Sequence, residues 1–142
     1  MITTKQEVSP EAGLQLVTFA LDHAKTQGWD IAVSVCDPAG NQVAFLRSEN
    51  VISPAADFAC DKAYTAATLR KSTSDFFERM SGTPSLALGL SNRPRLMVWT
   101  GGLPLFHEGV CIGGIGVSGA QDFEDVECAR VAIEKVGLAE SG

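Results

Sequence analysis

Apolar residues recur along this chain with two periods. Between Pro10 and Gln27, Leu14, Val17, Leu21 and Ala24 fall on one face at spacings of three and four, which predicts an amphipathic helix. Ser9 before Pro10 supplies the N-cap and first helical residue, and Gly28 the left-handed stop. IAVSVCD then alternates, with Ile31, Val33 and Val35 on one side, and QVAFLR returns after the turn residues Pro38-Ala39-Gly40-Asn41. Ser53-Pro54 repeats the serine-proline start and opens a second helix that runs to about Arg70. Its stripe of Ala56, Ala59, Ala63 and Ala66 or Ala67 is small-sided and suits close approach of another backbone.

Ser74 to Met80 predicts a short helix closed near Ser81-Gly82, followed by a loop over 83–94. RLMVWT predicts a third strand, GLPLF a fourth and VCIGGIGVS a fifth, the last two joined by a turn at Glu108-Gly109. In the fifth, Cys111, Gly113, Ile115 and Val117 alternate against Ile112, Gly114, Gly116 and Ser118. A final helix starts near Asp122, which caps it. Asp122, Glu124 and Asp125 sit at its positive end, and Val126, Ala129, Ile133 and Val136 form its apolar stripe. The order α-β-β-α-α-β-β-β-α with hairpin-linked strands predicts an α+β fold, profilin- or PAS-like in outline. It has an antiparallel sheet of about five strands, helices packed on it, and one domain over 1–142.

The stretch from Gly101 to Gly119 holds 7 of the chain's 14 glycines. Gly114, Gly116 and Gly119 spell G-x-G-x-x-G, but the nucleotide fingerprint needs a second parallel strand after the helix. Only one helix follows, and Glu134, at the distance of the ribose-binding acid, falls inside it. No NAD site is expected. The bare Gly114-Gly116-Ser118 face is instead a mate for the alanine stripe or a seat for a flat ligand.

The net charge of −6 and the absence of a Lys/Arg cluster argue against nucleic acid and anionic membranes. No apolar run is long enough for a membrane span, and the first residues carry no apolar leader core. Cys36, Cys60, Cys111 and Cys128 form no C-x-x-C pair, so buried free thiols in a reducing, cytoplasmic setting are expected. His23 and His107 lack ligand spacing, so neither structural zinc nor another metal is expected.

Three segments, IAVSVCDPAGNQVAFLRSE, SPAADFACDKAYTAATLRKST and GGLPLFHEGVCIGGIGVSGAQDFEDVECA, carry a wider resemblance over roughly 10–138. With Asp37, Gly40, Arg47, Lys62-Ala63, Gly101-Gly102, Pro104, Gly109, Gly113, Gly116, Ser118-Gly119 and Asp125 in order, the chain resembles the GlcG/HbpS-like family of small heme-binding-type domains and the C-terminal module of PduO-type proteins. The resemblance implies a cytoplasmic or secreted homo-oligomer, often built from dimers, with small-molecule pockets near subunit contacts. Some relatives bind heme or its degradation products, and others accompany catabolic enzymes.

The resemblance and the residue chemistry together select candidates. Lys62, on a helix face with Phe58, Thr65 and Leu69, suits a ligand carboxylate or a heme propionate, or else a structural ion pair. Arg47 offers a planar fork for a carboxylate. Gly101, Gly102 and Pro104 offer a close backbone approach, with Thr65 beside Lys62 completing the ligand set. His23 is the candidate heme axial ligand, and His107 is expected to be exposed. The alternative to a binding module is a lyase, isomerase or hydratase on a small organic acid, with Lys62 or Asp125 moving a proton.

Overall fold

The Ser9 hydroxyl accepts the Ala12 N–H and starts helix α1 (Pro10–Gln27), and Gly28 ends it at φ 79°. The computed structural model describes residues 1–142 and continues with β1 (Ala32–Cys36), β2 (Gln42–Arg47), α2 (Ala55–Leu69), α3 (Thr73–Ser81), α4 (Pro84–Leu90), β3 (Gly102–His107), β4 (Val110–Ser118) and α5 (Asp122–Lys135). The sheet is antiparallel throughout, in the order β2-β1-β4-β3. Helices cover both faces. One face holds Val33, Val35, Leu103, Leu105, Ile115 and Val117 against Leu16, Val17 and Ala20 of α1 and Cys128, Ala129 and Ile133 of α5. The other face is covered by α2.

The α+β class holds, but the sheet has four strands rather than five. The RLMVWT segment stays off the sheet, because Thr65 of α2 ties its backbone down. The Thr65 hydroxyl donates to the Arg95 carbonyl (3.0 Å) and accepts the Met97 N–H (2.9 Å). The stretch expected as a loop contains α4, a seven-residue helix with no buried residue, whose Leu86, Leu88 and Leu90 recur at a spacing of two rather than a helical one. Ser53 does not cap α2, whose N-cap is Pro54 without a side-chain bond. Gln121, not Asp122, caps α5 in a reciprocal box with Glu124. On α1 the buried set is Gly13, Leu16, Val17, Ala20, Leu21 and Ala24, while Leu14 is exposed. Of the four free cysteines, Cys36 and Cys128 are buried and Cys60 and Cys111 half-buried.

The alanine stripe and the glycine face do meet. A Cβ on Gly114 would lie 2.7 Å from both the Ala63 carbonyl oxygen and the Ala67 nitrogen. One on Gly116 would collide with the Ala59 carbonyl and the Ala63 nitrogen. The cross-strand rows set this face: Ala32 lies opposite Ser118, Ser34 opposite Gly116, and Cys36 opposite Gly114, while Gly102 and Pro104 pair with Gly116 and Gly114 from the other side. Strict alternation along β4 fails at its start. The register shifts between Leu105 and Phe106, so that Phe106 faces Cys111 and Ile112 is the extra residue. Ile112 therefore joins Ile115 and Val117 in the core, while the Cys111 thiol turns toward the Ala67 carbonyl of α2.

Candidate functional site

Helix α2 lies so close to β4 that Lys62 reaches the end of the sheet inside the protein. Its side chain is 3% exposed. Nζ donates to the Val117 carbonyl (2.9 Å) and to Asp125 Oδ2 (3.3 Å), and Asp125 Oδ1 accepts the Ala120 N–H at 3.0 Å. One carboxylate thus joins the first turn of α5, the β4–α5 loop and α2. Burial pushes the Asp125 carboxyl up to about 6 against the opposing pull of Lys62, and burial lowers the Lys62 ammonium although Asp125 opposes it. Both shifts favour the uncharged forms, so loss of hydration outweighs the mutual attraction of the pair.

The two glycines at the start of β3, Gly101 just before it and Gly102 as its first residue, exist for this arrangement. A Cβ on Gly101, which sits at φ 130°, would meet Lys62 Nζ at 2.9 Å, and one on Gly102 would meet the Lys62 carbonyl oxygen at 2.5 Å. Their backbone groups are already engaged. The Gly101 carbonyl accepts the Val117 N–H, and the Gly102 N–H donates to the Thr73 hydroxyl of α3 at 3.0 Å. Pro104 is fully buried, on the sheet face that α2 covers. Sequence reasoning missed Thr73, because the first residue of a short helix gives no pattern that links it to a distant glycine.

The structure therefore brings Lys62, Asp125, Gly101 and Gly102 together. Thr65 is buried a turn away and spent on the 95–97 segment. Arg47 stands apart. It is exposed on edge strand β2, donates to the Ser48 carbonyl, and lies in the row Arg47–Ala32–Ser118, two strand spacings or roughly 10 Å from Ser118. His23 lies in the α1–α5 layer on the opposite side of the sheet, with Nε2 2.8 Å from Glu127 and its ring edge-on to Trp29. His107 is exposed at the hairpin end of β3. No group of three or more His, Cys, Asp or Glu side chains is placed to hold a metal ion.

Large apolar side chains stand exposed on the segments that carry the buried pair. Trp99 packs edge-on to Phe58 at 5.0 Å between centroids, and Phe58 is one helical turn from Lys62. Trp99, Ile52 before α2 and Phe123 in the first turn of α5 are all more than half exposed. Sequence reasoning placed Phe58 beside Lys62 but put Trp99 inside a strand.

A family model described as haem degrading protein HbpS-like matches residues 8–134. The chain belongs to the HbpS-like family. It is 33% identical over 105 residues to an uncharacterized 15.0 kDa protein of the dhaT-dhaS intergenic region of Citrobacter freundii, covering 73% of this chain and 74% of that one. It is 27% identical over 115 residues to Protein GlcG of Escherichia coli, covering 81% and 84%. The chain spans only 37% of the corrinoid adenosyltransferase PduO of Salmonella typhimurium, to which it is 27% identical over 127 residues. A crystal structure of a PduOC:heme complex superimposes with a TM-score of 0.87 at 23% identity, covering 96% of this chain and 99% of that one, and so shares the fold. The HbpS-like, GlcG and PduO likenesses agree with the resemblance carried by the sequence motifs. No helix is long and apolar enough to cross a membrane.

Proposed function

We propose that this chain is a homo-oligomeric, cytoplasmic small-molecule-binding protein whose ligand is a heme-like or other carboxylated aromatic compound. The observation that carries the reading is the exposed Trp99 packed on the half-buried Phe58, with exposed Ile52 and Phe123, on the segments that also carry the buried Lys62–Asp125 pair. Exposed apolar clusters of this kind receive a ligand or another subunit. Lys62 Nζ uses two of its three donors inside the chain, which leaves one without a partner there. Arg47, on the same end of the sheet, offers a second cation at the outer edge.

The family's description and the PduOC:heme structure raise heme as the ligand. The residues around Lys62 fit the carboxylates and flat face of such a molecule but not its iron. The only two imidazoles, His23 and His107, lie on the other side of the sheet and at its hairpin end. Binding here is therefore through ring and carboxylates, and metal-free protoporphyrin serves as well as hemin. The test is a titration of each porphyrin, followed by its absorbance, against the wild type, Trp99→Ala and His23→Ala, with light scattering for the assembly state. Saturable binding of both porphyrins, weakened in Trp99→Ala and kept in His23→Ala, supports the reading. Binding of hemin alone that disappears in His23→Ala overturns it.

One observation favours a second reading as an enzyme of lyase, isomerase or hydratase type. Lys62 and Asp125 lie 3.3 Å apart with both groups displaced toward neutrality, a pair able to hold and move a proton. Turnover of a small organic acid that Lys62→Met abolishes in a folded protein supports it, and turnover unchanged in that variant excludes it.

A further inference from the structure

The opposite end of the sheet carries a cavity of about 800 Å³ between the N-terminal arm, the turns that close the two hairpins and the end of α2. That volume is in the range of small-ligand sites. Arg70 and Phe106 form part of its wall, and they also border a second cavity of about 250 Å³. Arg70 is the C-cap of α2 and adopts φ 59°, ψ 38°, a left-handed conformation that glycine fills without cost and other residues fill at about 1 kcal/mol. Its exposed guanidinium makes no hydrogen bond and no ion pair within the chain, and the same is true of the Lys5 ammonium on the arm. The one acid lining the larger cavity is Glu7, against these two cations, in a chain of net charge −6.

A position where glycine is the better structural residue holds an arginine that stabilises nothing inside the molecule. Conformations of this kind cluster at ligand-binding and other functional sites. The geometry points to a second ligand site, separate from the Lys62 face, that takes a planar aromatic carboxylate. The Arg70 fork pairs with the two carboxylate oxygens, Lys5 adds charge from the arm, and the half-buried Phe106 ring forms the wall for the aromatic body. This inference does not depend on what binds beside Trp99.

The probe is 2-naphthoate, titrated into the ¹⁵N-labelled full chain and followed by amide chemical shifts, with neutral 2-naphthamide as control. Saturable shifts at Lys5, Arg70, Phe106 and Val110 with the acid, at least tenfold weaker with the amide, are expected. Arg70→Gly weakens naphthoate at least tenfold while the melting temperature stays level or rises, which a purely structural arginine would not allow. No saturable shift at these residues, equal binding of acid and amide, or unchanged affinity in Arg70→Gly overturns the proposal.

Discussion

Replacing Gly114 by alanine tests whether β4 is bare because α2 lies on it. The new Cβ would sit 2.7 Å from the Ala63 carbonyl oxygen and 2.7 Å from the Ala67 nitrogen, whereas unstrained contacts begin near 3.4 Å. Both obstacles are helix backbone, so no side chain can swing aside. Relief requires moving a helix that is also fixed by Lys62, Thr65 and the collisions waiting at Gly116. Overpacking against a surface that yields costs about 1–3 kcal/mol, and a backbone obstacle belongs at the upper end. The alanine recovers about 0.5–1 kcal/mol by restricting the unfolded chain. The net loss is about 2 kcal/mol, or roughly 4–8 °C in melting temperature for a domain of this size. Gly116→Ala, with backbone on both sides at still closer range, is expected to cost more. Gly89→Ala in α4 is the control, since nothing lies within 4 Å of its Cβ and the φ is ordinary, so stability rises by a few tenths to about 1 kcal/mol. Urea unfolding of the three variants gives the order. A Gly114→Ala loss below about 0.5 kcal/mol would refute the packing argument and reopen the ligand-seat reading of this face.

Further expectations concern the buried polar groups. Lys62→Met leaves the Asp125 carboxyl without its cation and costs about 3–5 kcal/mol, with much of that recovered in Lys62→Met/Asp125→Asn, as a double-mutant cycle in urea will show. Asp125 has a folded value near 6, above the ordinary 3.8, so its contribution is greatest below pH 4 and is lost as pH rises through 6. Relative to Asp125→Asn, the wild type therefore gains about 2 kcal/mol between pH 7 and pH 4, and a difference flat across that window counts against the buried carboxyl. Thr73→Val leaves the buried Gly102 N–H unpaired and costs about 1–3 kcal/mol, again read by urea unfolding.

Much of the fold is legible in the sequence because its signals are local. The Ser9-Pro10 start, the Gly28 stop and the alternation of Val33 and Val35 each need only a few neighbours, and the alanine stripe with the Gly114-Gly116 face declares a close contact before any coordinates. The errors arise where tertiary bonds override pattern. RLMVWT has strand composition, yet Thr65, thirty residues earlier, claims the Arg95 carbonyl and the Met97 N–H. The extra residue at Ile112 reverses the facing of Cys111 and Ile112, which period-two counting has no means to detect. At the site, Lys62 and Asp125 were each identifiable, but their bond spans 63 positions and no spacing rule joins them. Gly101 and Gly102 were legible as places of close approach. What approaches them is Lys62 itself, and the pocket expected there is filled by that side chain. The nucleotide-like G-x-G-x-x-G reduces to two contacts with α2 and, at Gly119, one with Val51 and the Asp30 carbonyl.

The central claim is that a flat carboxylated ligand lies on Trp99 above the buried Lys62. A Trp29→Phe variant leaves Trp99 as the single indole of the chain, and its fluorescence can be followed during titration with protoporphyrin. The account predicts saturable quenching that Phe58→Ala and Arg47→Ala weaken. Trp99 emission that stays constant while the porphyrin demonstrably binds elsewhere would contradict it.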